Sequence, residues 1–288
     1  MSPRDIAVVA RFEIRRTLRS PHGLLFLALF GSFFAWVGIK VHDLTSGLGG
    51  ISDSGVRAAA LSEDNPFFAF AGWLTDLDAD RIRALVIEHP PALVALFFIS
   101  LVATPFLAMM GSFDQTGTDI QTKHTRYLLL RTDRTSLYVG KSLGNAVFIA
   151  AAFAVATFGV GAVVLLTGGP SGVSVASAFV YLARIWLSLV FLTLPFVALL
   201  GFANAAIGHG FLSLVSALGL YFVIWATTAI GGIAVPAMDY VAYGFPSALK
   251  YHIMSPDARD ILVAIAHQGA FAVVLFWLGL TIFRRRDV

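Results

Sequence analysis

The sequence predicts an all-α, polytopic membrane protein with six transmembrane helices, an N-terminal amphipathic interfacial helix and short outer-face helices. Of its residues, 58% are hydrophobic and 13% are charged, whereas about 25% of the residues in a soluble domain carry a charge. Apolar runs recur at about the length that a helix needs to cross the hydrocarbon core of a bilayer. Lys and Arg concentrate in alternate segments between these runs, as in a membrane protein of defined orientation.

The first predicted element is an interfacial helix over residues 3–20. Its apolar positions fall within about one third of a helical wheel, and its basic positions occupy an adjoining arc. The apolar set is Ile6, Ala7, Ala10, Ile14 and Leu18, and the basic set is Arg4, Arg11, Arg15 and Arg19. This pattern predicts a helix that lies in the membrane plane with its basic side toward lipid headgroups.

Six apolar runs predict the membrane spans. They are Gly23–Ile39, Pro91–Gly111, Ser142–Thr167, Ala178–Gly201, Phe211–Ala234 and Ile261–Phe283. The first run follows a basic N-terminus, but it is longer than the apolar region of a typical signal peptide and lacks a clear cleavage site. We therefore expect it to be retained as a span, and an even number of spans places both termini on one side.

The distribution of Lys and Arg predicts which side that is. With cytoplasmic termini, the inner segments 1–22, 112–141, 202–210 and 284–288 hold thirteen basic residues, and the outer segments 41–90, 168–177 and 235–260 hold five. Acidic residues show the opposite bias, six inside against eleven outside. The positive-inside rule therefore predicts a multi-pass protein of the inner (cytoplasmic) membrane with both termini cytoplasmic.

The two larger outer segments differ in character. Residues 41–90 are predicted to form an outer loop with short helices near the membrane surface. Residues 235–260 contain Pro236, Pro246 and Pro256 with aromatic residues between them. Because prolines at this density prevent a continuous helix and aromatic residues prefer the membrane interface, we expect a re-entrant or interfacial segment there.

No stretch carries a recognisable catalytic or metal-binding motif. The chain has no cysteine, and its seven histidines show no close-spaced ligand pair. Gly140, Lys141 and Ser142 match the end of a phosphate-binding loop, but Thr135 replaces its first glycine and the segment runs into a span rather than following a strand. We therefore expect no enzymatic activity or bound cofactor in this chain, and a pairing of His42 with His89 or His252 on the outer face is the metal site that the sequence leaves open. We expect no nucleic-acid partner, because the basic residues sort by membrane side.

The polar stretch from Asp114 to Gly144 resembles the first cytoplasmic loop of ABC-2 type transporter permeases. In that comparison Asp114 and Asp119 take the places of the family's Asp and Glu, Thr125 its Thr, Leu128 and Leu129 its leucine pair, Arg134 its Arg, and Gly140 with Lys141 the closing Gly-Lys. The chain departs from the pattern at His124 and Arg126 and lacks the loop's proline. The N-terminal helix, the six spans and the terminal Phe-Arg-Arg-Arg also match the family layout.

The resemblance implies the membrane subunit of an ABC exporter. Such a subunit pairs with a second copy or a related permease, and with two copies of a separate ATPase that binds ATP and Mg. Residues 112–141 would then be a coupling loop docked into the ATPase. The implied coupling residues are Asp114, Asp119, Thr125, Leu128, Leu129, Arg131, Arg134 and Lys141. In this hypothesis the two leucines fill a cleft on the ATPase, and the charges fix the register.

Two alternatives remain at this point. One is an integral membrane enzyme that acts on lipid-like substrates at the outer face, suggested by acidic residues near aromatic ones: Asp76, Asp78, Asp80 and Glu88. The other is a membrane scaffold that transports nothing, with residues 112–141 as a solvated connector. The sequence leaves the nature of any transported substrate open.

Overall fold

The computed structural model describes residues 2–49, 91–168, 175–234, 244–246, 248–250, 252–255 and 257–286. Within these residues the regular structure is entirely helical. The helices are α1 (Pro3–Arg19), α2 (Pro21–Gly49), α3 (Pro91–Ser112), α4 (Gly117–Gln121), α5 (His124–Leu129), α6 (Arg134–Gly168), α7 (Val175–Ile207), α8 (Gly210–Ala234) and α9 (Ala258–Arg285), with a 3-10 turn at His252–Met254 before α9.

Six of the described helices, α2, α3, α6, α7, α8 and α9, are long and apolar enough to cross a membrane. The protein is therefore an all-α polytopic membrane protein, as predicted, and each predicted span lies within one of these helices. Residues 50–90, with most of the predicted outer loop, lie outside the described residues. So does much of the segment 235–260, of which the described part includes the 3-10 turn.

Helix α6 extends eight residues before the predicted span and into the predicted coupling loop. Helix α6 begins at Arg134, so residues 134–141 are helical and the connection between α3 and α6 is residues 113–133, called here the connecting segment. The reason is a helix cap: Asp133 Oδ2 accepts a hydrogen bond from the Ser136 backbone N–H at 3.2 Å. A capping Asp satisfies a free N–H of the first helical turn and fixes where the helix starts.

The chain forms two compact units. One comprises Ala28–Ala103 and Phe153–Leu189. The rings of Phe30, Phe34 and Phe153 pack together at its centre, with centroids 4.8 Å apart for Phe30 and Phe34 and 5.2 Å apart for Phe30 and Phe153. These distances are typical of aromatic pairs in protein cores.

The other unit comprises Met1–Leu27, Thr104–Ala152 and Val190–Val288, and so contains α1 and the connecting segment. One cluster of its core consists of Ile120, Leu137, Tyr138, Ala205 and Phe283. The Tyr138 ring lies 5.5 Å from the Phe283 ring, which joins the start of α6 to the end of α9.

Helix α1 is amphipathic, but its buried side is offset from the predicted apolar face. The four predicted basic residues are all exposed, whereas Ala7 and Leu18 are exposed too. The buried residues are Ala10 and Glu13. The offset arises because the side of α1 that packs on the protein also carries charge, which a wheel of apolar positions does not reveal.

Candidate functional site

The connecting segment is built from two short helices, α4 and α5, joined at Lys123. Lys123 has a φ of 59°, a left-handed conformation that is uncommon outside glycine and asparagine. The start of α4 lies against the turn between α7 and α8, where a Cβ added at Gly117 would meet the backbone of Gly210. Asn204 Nδ2 also donates a hydrogen bond to Phe113 O at 3.2 Å.

An arginine of α1 joins this segment by ion pairs to two carboxylates. Arg16 Nη1 donates to both carboxylate oxygens of Asp119, at 3.0 and 2.8 Å. Arg16 Nη2 lies 3.4 Å from Asp114 Oδ2 and donates to the Asp114 carbonyl at 3.3 Å. A planar guanidinium that binds two carboxylates in this way fixes orientation as well as distance.

A lysine of α6 meets the same carboxylate from the other side. Lys141 is 1% exposed. Its ammonium group donates to Asp119 Oδ2 and, at 3.2 Å, to the Gln115 carbonyl. Lys141 Nζ also lies 3.3 Å from Glu13 Oε2 of α1, as an ion pair outside hydrogen-bond geometry. Lys141 therefore connects α1, the connecting segment and α6.

We call the set Glu13, Arg16, Asp114, Asp119 and Lys141 the charge cluster. It contains three carboxylates and two cations within ion-pair distance. Burial alone would lower the pKa of Arg16, but the nearby carboxylates of Glu13 and Asp119 outweigh that effect. The pKa of Arg16 is therefore raised above its ordinary value, and Arg16 stays charged. Removal of one partner from a buried ion pair costs about 3–5 kcal/mol, because the remaining charge is left uncompensated.

Two glycines of α6 let α1 approach closely enough for these contacts. A Cβ added at Gly140 would lie 2.6 Å from Val9 Cβ, and one added at Gly144 would lie 2.8 Å from the Ala10 carbonyl oxygen. Both distances are too short for a side chain. The Gly140 and Gly144 pair, four residues apart, is the small-residue pattern that permits close helix packing, and Lys141 lies between them.

A cavity of about 30 Å³ adjoins the charge cluster and is lined in part by Glu13, Arg16, Asp114, Gln115 and Asn145. A volume of this size accommodates water rather than a small-molecule substrate. Gln115 at its edge is fully buried and donates a hydrogen bond to the Ser142 hydroxyl. Among the described residues, no group of three or more His, Asp or Glu side chains is arranged to hold a metal ion.

The apolar residues at the end of α5 and just after it form a partly buried inner pair and an exposed outer pair. Leu128 and Leu129, predicted to dock into a partner, are partly buried and pack against the core cluster that contains Ile120 and Phe283. The exposed apolar side chains are their neighbours Tyr127 and Leu130, at 70% and 83% exposed. If this segment docks into a partner, we therefore expect Tyr127 and Leu130, rather than Leu128 and Leu129, to make the contact.

The remaining predicted coupling residues fall into three environments. Thr125 is buried in α5, and Arg131 is exposed beyond it. Arg134 is engaged within the chain: its Nη1 donates to the carbonyls of Arg284 and Arg286, at 2.9 and 2.6 Å. It thereby satisfies carbonyl groups at the C-terminal end of α9, which lack partners within the helix.

The sequence pattern missed Glu13 and Arg16, which complete the charge cluster. Both lie on α1, about a hundred residues before Asp114 and Asp119 in the chain, and no local period pairs them with the connecting segment. The sequence did contain one signal. On the helical wheel of α1, Arg16 lies outside the arc formed by Arg4, Arg11, Arg15 and Arg19 and on the same side as Glu13, three positions earlier. A charge pair away from the basic face indicates an internal partner.

The acidic residues that suggested a membrane enzyme, Asp76 to Glu88, lie outside the described residues. No family model matches the chain. The comparison with curated proteins likewise gives no match. The architecture and the site define the class of protein: a helical membrane protein with a charged segment anchored between two of its candidate spans.

Proposed function

We propose that this chain is the membrane-spanning permease subunit of an ATP-driven ABC exporter of the ABC-2 type. In this proposal it forms the translocation path with a second copy or a related permease, and two copies of a separate ATPase drive it. The observation that carries the proposal is the connecting segment, which is anchored by buried charges at one end and presents exposed apolar side chains at the other.

This arrangement is what a mechanical coupling element requires. An ATPase outside the membrane can move membrane helices only through a protruding element that is firmly attached to them. The connecting segment is covalently continuous with α3 and α6, and Asp119 joins it to Arg16 of α1 and Lys141 of α6. A force applied at Leu130 would therefore reach three helices rather than deform a loose loop.

The orientation in this proposal follows from the excess of Lys and Arg in the segments assigned to the cytoplasm. It places the connecting segment on the side where ATP is present. Because the chain has no cysteine, single cysteines can report accessibility in intact cells. We expect an impermeant thiol reagent to label Ser255→Cys directly and Leu130→Cys only after permeabilisation, and labelling of Leu130→Cys in intact cells would refute the orientation.

The partner prediction is tested by co-purification with candidate ATPases encoded beside this gene. Burial of two large apolar side chains contributes roughly 3–6 kcal/mol before ordering costs, so Tyr127→Asp with Leu130→Asp should detach the ATPase. The matched control is Gln121→Asp with Thr122→Asp, which adds the same charge to exposed positions of the same segment without removing apolar surface.

We expect the control variant to retain the ATPase and its substrate-stimulated turnover in lipid vesicles. The proposal fails if the Tyr127 and Leu130 variant is folded, retains its ATPase and transports normally. It also fails if no ATPase co-purifies with the unmodified chain, which would favour the scaffold hypothesis.

A further inference from the structure

Helix α1 has a second face, opposite the one that holds the charge cluster. Four arginines are exposed there, and apolar side chains are exposed between them: Val8 at 62%, Phe12 at 54% and Leu18 at 45%. The arginines are Arg4, Arg11, Arg15 and Arg19. No salt bridge within the described part of the chain involves any of these four, whereas Arg16 points inward to Asp119.

We propose that this face, here called the arginine face, is a binding surface for anionic phospholipid headgroups. Guanidinium groups donate charge-assisted hydrogen bonds to phosphate oxygens, and their positive charge attracts lipids with a net negative headgroup. The apolar side chains between the arginines would enter the upper acyl region, as in helices that lie in the membrane plane. Four cations that have no ion-pair partner among the described residues give the face a strong charge preference for anionic over zwitterionic lipid.

The chain path favours a lipid surface over a protein partner. Only Ser20 separates α1 from α2, which is apolar enough to cross a membrane. The connection is tight, because Ser20 Oγ accepts a hydrogen bond from the Gly23 N–H at 2.9 Å and the Ser20 N–H donates to the Arg16 carbonyl at 2.9 Å. Helix α1 is thereby held at the level where α2 enters the bilayer.

Lipid binding at this face would also stabilise the site on the opposite side of the helix. Glu13 and Arg16 contact Lys141 and Asp119, so any ligand that holds α1 in place supports the charge cluster. The inference goes beyond the proposed transport function and does not depend on an ATPase. It can hold if the permease proposal fails, and it can fail while that proposal holds.

The experiment is a thermal unfolding titration of the purified full chain in detergent micelles supplied with phosphatidylglycerol or phosphatidylcholine. A ligand that binds the folded state raises the Tm in a concentration-dependent way. We expect phosphatidylglycerol to raise the Tm at lower concentration than phosphatidylcholine. With Arg4, Arg11, Arg15 and Arg19 all changed to Gln, the preference should weaken by roughly several hundredfold, since each of the four cations near a lipid surface contributes roughly fivefold.

The matched control changes four other exposed arginines to Gln and alters the net charge equally: Arg126, Arg131, Arg284 and Arg285. This control should retain the phosphatidylglycerol preference, and so should a fourfold Arg→Lys variant of the arginine face, because its charge is preserved. The Arg→Gln variant should unfold at the unmodified temperature in phosphatidylcholine alone, which separates lost binding from misfolding. Equal loss in both Arg→Gln variants, or no preference in the unmodified chain, would overturn the proposal.

Discussion

The two halves of the connecting segment meet the rest of the molecule in different ways. The first half, Phe113 to Ile120, is held by the charge cluster, by Asn204 and by the buried side chain of Ile120. The second half packs Leu128 and Leu129 on the core but exposes the side chains of Tyr127, Leu130 and Arg131. We call the first half the attached half, because it is fixed to other helices, and the second half the presented half, because its exposed side chains are available to a partner. An element that transmits force needs both properties, and it needs them at different residues.

The largest expected effect concerns the attached half. Lys141→Ala removes the cation that contacts Asp119 and Glu13 while both carboxylates stay buried. We expect a loss of about 3–5 kcal/mol in the free energy of unfolding, because three clustered carboxylates would then share Arg16 as their one cation within the charge cluster. Arg126→Ala, at an exposed position of the same segment, should change stability by less than about 0.5 kcal/mol. Thermal or denaturant unfolding in micelles measures both, and equal behaviour of the two variants would contradict the buried cluster.

A medium effect is expected where α1 packs on α6. Gly140→Ala places a Cβ 2.6 Å from Val9 Cβ and 3.0 Å from the Ile6 carbonyl oxygen, and overpacking of this kind costs about 1–3 kcal/mol. The control is Gly159→Ala on the same helix, where an added Cβ has no atom within 4 Å.

The Gly159→Ala variant should be neutral or more stable by up to about 1 kcal/mol, because alanine favours the helical backbone over glycine. If both alanine variants unfold at the same temperature, the close approach of α1 to α6 is wrong. The comparison also tests the attached half indirectly, because α1 carries Glu13 and Arg16 into the charge cluster.

The smallest expected effect concerns the presented half. Tyr127→Ala with Leu130→Ala removes side chains that are exposed in this chain, so stability should change by less than about 0.5 kcal/mol. Leu128→Ala with Leu129→Ala removes side chains that pack on the core and should lower stability clearly. If the outer pair destabilises the chain as much as the inner pair, Tyr127 and Leu130 are not free side chains available to a partner.

The sequence predicted the membrane helices well because their length and composition are set by the bilayer rather than by tertiary contacts. It predicted their ends less well. Helix α6 starts at Arg134 because Asp133 caps it, a signal that was legible in the sequence but was assigned to the loop. Whether a charge at the end of a span is solvated or buried depends on its partner, and the sequence did not indicate that Lys141 is buried against Asp119 and Glu13.

The charge cluster could not be predicted from a local sequence pattern. Its ion pairs join Arg16 to Asp119 across 103 positions, and only the packing of α1 against α6 brings them together. The choice between Leu128 and Leu130 had a similar cause. Helix α5 is a six-residue helix, too short for its period to indicate which side faces the core.

The central claim, that the presented half contacts an ATPase, is tested most directly by site-specific crosslinking in native membranes. A single cysteine at Leu130 carries a photoactivatable crosslinker, and Val155→Cys is the control because Val155 is 76% exposed on α6, within a helix long enough to cross the membrane. The account predicts that Leu130→Cys captures a protein identified by peptide mass as a separate ATPase with a nucleotide-binding motif, and that Val155→Cys does not. Capture of no ATPase at Leu130, or equal capture at both positions, would contradict it.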